Sequence, residues 1–130
     1  LAKVLNIKWL LLGDNDEQGK STITEVLNCG YARDEINEAL KLTKTKDFEH
    51  ELANIPTIFA DYESILGDRI DNDIRKLKEQ GNIEAYKEKV VALIQDGKVE
   101  NAYNLIRIWR DRHFSTDEIP DVIKELIEKV

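Results

Sequence analysis

Asp14 and Asp16 stand two residues apart, just past Gly13 and the apolar run Ile7-Lys8-Trp9-Leu10-Leu11-Leu12. Carboxylates at i and i+2 that leave the carboxyl end of a buried strand can converge on one hard cation. Mg²⁺ prefers oxygen ligands, uses one or two carboxylates, and keeps water or substrate phosphate in its other positions. Ligands of α/β folds gather at that end of the strands. The same residues also suit an acidic turn whose side chains cap the next helix. A phosphate loop is a third reading, because Gly19-Lys20-Ser21-Thr22 follows a strand and opens a helix. That loop needs four residues between its first Gly and the Gly-Lys pair. Here five residues, Asp14 to Gln18, separate Gly13 from Gly19. Asp14, Asp16 and Glu17 would also face the phosphates, and a carboxylate ~4 Å from a phosphate repels it by about 1 kcal/mol even in water. Nucleotide binding would require Lys20; charge and spacing weigh against it.

These groups need elements to hold them. Residues 7–12 read as a short strand buried on both faces. A helix should follow, opened by the capping box Thr22-x-x-Glu25, carrying Ile23, Val26 and Leu27 inward and stopped by Gly30. The residues before it, Leu1 to Leu5, suit the tail of a helix. Asp34 to Leu40 suits a short helix, and Leu40 to Thr43 a second buried strand. Strand, acidic loop, helix, strand is the opening of an α/β domain.

Beyond residue 54 the period is helical. Ile55, Ile58, Phe59, Tyr62, Ile65 and Leu66 form one stripe, ended by Gly67. Ile83, Tyr86, Val90, Leu93 and Ile94 form another, ended by Gly97. Val99, Ala102, Ile106 and Trp109 make a third, and 119–130 a fourth, opened by the capping box Ser115-x-x-Glu118. Between them, 68–89 carries mixed charge and reads as solvated helix faces. The expected organisation is an α/β core over 1–54 and a helical C-terminal extension over 55–130, packed on that core.

The chain has 130 residues, 42% hydrophobic and 35% charged, with six Gly and two Pro. That composition excludes collagen-like, low-complexity and disordered classes. Its longest apolar run, Trp9 to Leu12, falls far short of the ~20 residues that span a bilayer. A net charge of -7 argues against coating nucleic acid by bulk attraction, though not against contact through a local patch or metal ions. The single cysteine, Cys29, and the lack of an export leader suit a reducing cytoplasm. Cys29 itself reads as a small packed residue. A chain starting at Leu1 is expected to be a piece of something longer.

Leu1 to Lys20, ending in Leu10-Leu11-Leu12-Gly13-Asp14-Asn15-Asp16-Glu17-Gln18-Gly19-Lys20, resembles the central part of a Toprim domain of the OLD (overcoming lysogenisation defect) nuclease type, in which a helix, an apolar entry and a strand lead into Asp-x-Asp-x-x-Gly-Lys. Asp47-Phe48-Glu49-His50-Glu51-Leu52 resembles that family's acidic-aromatic segment. Gly97-Lys98-Val99-Glu100-Asn101-Ala102 resembles its Lys-x-x-x-Ala helix start, and Ile119-Pro120-Asp121-Val122-Ile123 its closing helix. The resemblance runs in the same order over nearly the whole chain. It implies a Toprim-like parallel sheet fragment from a metal-dependent DNA endonuclease that hydrolyses phosphodiesters, in an anti-phage setting.

By that resemblance Asp14, Asp16 and Glu49 bind Mg²⁺ or Mn²⁺, and Lys98 supplies a catalytic positive charge near the phosphate. Lys20, Arg107 and Arg110 contact nucleic acid, Arg107 and Arg110 sharing a helix face beside Trp109. Glu51 points away from Glu49 in a strand and ~200° away in a helix, so the two should not share a metal. His50 and His113 read as packing or hydrogen-bonding residues rather than ligands. The family's Toprim domains begin with a strand bearing Glu-Gly-x-x-Glu, and follow an ATPase domain through which they form homo-oligomers; both lie outside this sequence. The expected partners are therefore DNA and that ATPase part, and the isolated chain holds about half of an active site. The rival expectation from another class is a non-catalytic protein-interaction module built on the helical stripes from Ile55 to Val130.

Overall fold

A computed structural model describes residues 4–129. Helix makes up 67% of the described residues, beside one small parallel sheet, so at a coarse level the fold is α/β. The chain divides into two compact units: residues 1–51 with 119–130, and residues 52–118. The stretch after residue 118 thus belongs with the sheet.

In the first unit, β1 (Leu11–Gly13) is followed by α1 (Glu17–Asn28), α2 (Arg33–Ala39) and β2 (Leu40–Leu42). β1 and β2 run parallel, with Leu11 beside Leu40, Leu12 beside Lys41 and Gly13 beside Leu42. Parallel strands cannot be joined by a tight turn, and α1 with α2 supplies the crossover. The first strand is shorter than the apolar run, which reaches the ladder only at Leu11. Val4 to Asn6 forms a turn, while Leu1 to Lys3 of the expected leading helix lie outside the described residues. Ile36 and Leu40 are buried, and α8 (Asp121–Ile127), which buries Val122, packs on β2.

Two helix starts differ from the sequence expectation, for local reasons. α1 begins five residues before Thr22, because Asp16 takes the N-cap position and accepts from the Gly19 N–H. The Thr22 hydroxyl, now inside the helix, donates to the Gln18 carbonyl at 3.0 Å. Ser115-x-x-Glu118 closes a separate turn of 3₁₀ helix (Thr116–Glu118), with the Ser115 N–H donating to Glu118 Oε2 at 2.7 Å. Pro120 then sets the start of α8.

α3 (Phe48–Ala53) carries the chain from the first unit into the second. There α4 (Pro56–Leu66) forms where a helical period was expected, α5 (Asn72–Glu79) in the mixed-charge stretch, and α6 (Ile83–Gln95) and α7 (Lys98–Asp111) again on expected helical periods. On α7, however, the expected stripe of Val99, Ala102 and Ile106 is exposed, while Asn101 and Leu105 are buried instead. α4 packs on both α6 and α7, and α5 on α6. Ile58, Tyr62, Val90 and Val91 are wholly buried, each aliphatic one worth about 1.5–3 kcal/mol of transfer from water. Asn101 holds the α6–α7 corner: its Nδ2 donates to the Ile94 carbonyl at 2.7 Å and the Leu93 carbonyl at 3.2 Å. Those carbonyls end α6 without a helical partner, and a buried amide satisfies them. Among the described residues no helix is long and apolar enough to cross a membrane.

Candidate functional site

The loops that leave β1 and β2 meet at the carboxyl end of the strands. The Thr43 N–H extends the ladder by donating to the Gly13 carbonyl at 2.9 Å. Its hydroxyl, fully buried, accepts from the Asn15 N–H at 3.0 Å and donates to the Thr45 carbonyl at 2.8 Å. Thr43 therefore fixes the backbone between the two aspartates. Sequence reading placed it at a strand end without a role; a threonine that ends a buried strand opposite an acidic loop was the available signal.

Asp14 Oδ1 accepts from the Phe48 N–H at 3.0 Å, so the side chain binds the first residue of α3. Asp16 Oδ1 accepts from the Gly19 N–H at 2.7 Å. Gly19 is buried against this loop, and a Cβ there would stand 1.8 Å from the Asp14 carbonyl oxygen. Only glycine lets the first turn of α1 lie so close. The phosphate-loop reading fails on the same geometry: a carboxylate, rather than an anion from solution, holds the N–H at the start of α1.

Across from the aspartates, Asp47 Oδ1 accepts from the His50 N–H at 2.9 Å, and lies 2.6 Å from His50 Nδ1. The Lys44 N–H donates to Glu51. Glu49 is buried, at 8% exposure, as are Asp47 and Glu51. Asp47, three residues before His50 and just ahead of Phe48, had the spacing of a helix cap, and the sequence reading passed over it.

Short links thus connect the positions of all three expected ligands. Asp14 is bonded to the residue that precedes Glu49, and Asp16 follows Asp14 by two. A groove of about 430 Å³ runs beside them, lined by Gly13, Asp14, Asp16, Gly19, Thr22 and Leu42 among others, but not by Glu49. The larger groove of this unit, between Trp9, Tyr31, Glu35 and Glu38, holds none of the predicted site residues. Among the described residues no three His, Cys, Asp or Glu side chains are gathered as a metal cage. The donor chemistry, carboxylate oxygens at the end of a parallel pair, suits a hard divalent ion.

Lys20 is exposed in the first turns of α1. Lys98 begins α7 and, with Arg107 and Arg110, belongs to the second unit. Arg107 and Arg110 are both exposed, with Arg110 Nε 3.5 Å from Asp111 Oδ1. Arg112 instead turns inward, donating to Asp61 Oδ2 at 2.6 Å and to Glu118. Hydrogen bonding to Asp61 holds its guanidinium pKa above the ordinary value against the opposing effect of burial. Burial pushes the Glu118 carboxyl up, but bonds from the Ser115 N–H, Thr57 and Arg112 together bring it below the ordinary value. Trp109 shares this network: its Nε1 donates to Asp61 Oδ2 at 2.9 Å, and its ring packs 4.9 Å from Phe114. Cys29, expected to be packed, is exposed, because it falls after the last turn of α1.

No family model, curated protein or solved structure matches this chain.

Proposed function

We propose that the loop after β1 contributes to a divalent-cation site of Toprim-like type, serving phosphodiester hydrolysis in DNA. The observation that carries this reading is the bond from the Phe48 N–H to Asp14 Oδ1. It ties the Asp-x-Asp loop to the helix that bears Glu49, bringing three acidic positions to one edge of the parallel pair. The Oδ2 atoms of Asp14 and Asp16 take no part in the capping bonds and remain for a cation.

A bound Mg²⁺ or Mn²⁺ would lower the pKa of a water and offset charge on the attacked phosphate. Asp14 and Asp16 would hold the ion, with Glu49 the third carboxylate of the set. Lys20, exposed at the start of α1, would meet a phosphate oxygen. The catalytic role for Lys98, on α7 of the second unit, rests on the resemblance alone.

Mn²⁺ titration with paramagnetic broadening of backbone amides tests this directly. Broadening should centre on 13–20 and 47–50, and vanish in Asp14→Asn/Asp16→Asn. Diffuse broadening over acidic surfaces, unchanged by the double substitution, would overturn the reading. The rival, an interaction module, is favoured by one observation: Val99, Tyr103 and Ile106 on α7 stand in water.

A further inference from the structure

Val99, Tyr103 and Ile106 are 86%, 66% and 60% exposed. Spacings of four and three place them in one stripe along α7, while Asn101 and Leu105 on the other side are buried. Single exposed apolar residues are ordinary on protein surfaces, but a contiguous stripe marks a contact surface.

The flanking charges indicate what covers it. Glu100 and Arg107, both exposed, are seven residues apart and so only about 20° apart around the helix. They border the same side of the stripe. The midpoint of Glu100 and Arg107 falls within one residue of the midpoint of Tyr103 and Ile106. A second α7, laid antiparallel about that point, sets Tyr103 against Ile106 of the second copy. It also sets Glu100 against Arg107 of the second copy, and the two-fold axis repeats each contact. The face is self-complementary at its centre, Tyr103 against Ile106, and in the sign of the Glu100 and Arg107 charges. Nucleic acid would be repelled by Glu100 and would leave the apolar stripe wet. A uniformly acidic protein partner meets the same objection.

We propose that the outer face of α7 is a homodimer interface, two copies pairing antiparallel through Tyr103 and Ile106, with Val99 at each end of the contact and reciprocal Glu100–Arg107 ion pairs. The inference stands apart from the metal site. α7 has 14 residues, about 21 Å of helix. A pairing this short lies at the small end of specific interfaces, so the dimer should be weak, with Kd on the order of 10–100 μM.

Sedimentation equilibrium of the 130-residue chain should show a monomer–dimer equilibrium in that range. Arg107→Glu and Glu100→Arg each turn two attractive contacts into repulsive ones, and each alone should weaken the dimer about tenfold or more. An equimolar mixture of the two variants should dimerise again, since every cross-pair is then opposite in charge. The double variant should do so as well. Circular dichroism checks that each variant keeps its helices. A wild-type chain that stays monomeric at high concentration overturns the proposal. So does a mixture that fails to recover, or an Arg107→Glu variant that loses binding to a DNA duplex while its sedimentation is unchanged.

Discussion

The backbone N–H of Phe48 donates to the side chain of Asp14 at 3.0 Å, across 34 residues of sequence. That bond makes one carboxylate both a fastener for α3 and a candidate ligand, and the two roles respond differently to substitution.

Asp14→Asn keeps an acceptor oxygen and removes the charge. Its stability in urea should stay within about 1 kcal/mol of wild type, while Mn²⁺ binding is lost. Asp14→Ala removes the acceptor too and should cost about 1–2 kcal/mol, as a lost helix cap does. Equal destabilisation by the two variants would mean that charge, rather than the hydrogen bond, secures α3.

Gly19 and Gly13 make a second contrast. A Cβ at Gly19 meets the Asp14 carbonyl oxygen at 1.8 Å, and backbone cannot yield cheaply. At Gly13 the nearest atom is Leu42 Cδ2 at 3.2 Å, the end of a flexible side chain. Gly19→Ala should therefore cost about 2 kcal/mol or more, and Gly13→Ala under about 1 kcal/mol. Urea midpoints of the two variants read the difference. Broadened amide signals over 14–19 in Gly19→Ala would report the opened loop.

The Arg112–Glu118–Asp61 network should make the second unit acid-sensitive. Glu118 has a folded pKa below its ordinary value of 4.5, so its contribution is complete above that value. The contribution is lost as pH falls through the depressed folded value, where the carboxyl protonates in the folded state too. Arg112 is raised and stays charged throughout, adding no titration of its own. Glu118→Gln should cost about 1–3 kcal/mol near neutral pH, the range for a lost charge-assisted bond. The gap between wild type and variant should close on acidification. A gap that is constant with pH would assign the effect to packing.

Much of the second unit was legible in sequence. The stripes of Ile58, Tyr62 and Leu66, and of Tyr86, Val90 and Ile94, have a helical period, and the helices they predict stop beside Gly67 and Gly97. The parallel pairing of the two short strands also follows from the helices between them. Helix starts were less legible, because a capping box is a pattern of residue types that several positions can satisfy. Asp16 displaced Thr22, and Pro120 displaced Ser115.

By itself, the sequence determined most of the elements, because helical period is local, but not every buried face: Val99 and Ile106 of the expected α7 stripe stand in water, and Asn101 and Leu105 are buried. Only the tertiary structure decided what the carboxylates do. Asp14 meets the Phe48 N–H because a crossover brings β2, and the loop after it, beside β1. Gly19 is required because of a carbonyl five residues away, and Glu118 is held low by Ser115 and Arg112 nearby in sequence together with Thr57 of α4. Hydrogen bonds and charges act over a few ångströms, so their partners are set by which segments the fold makes neighbours.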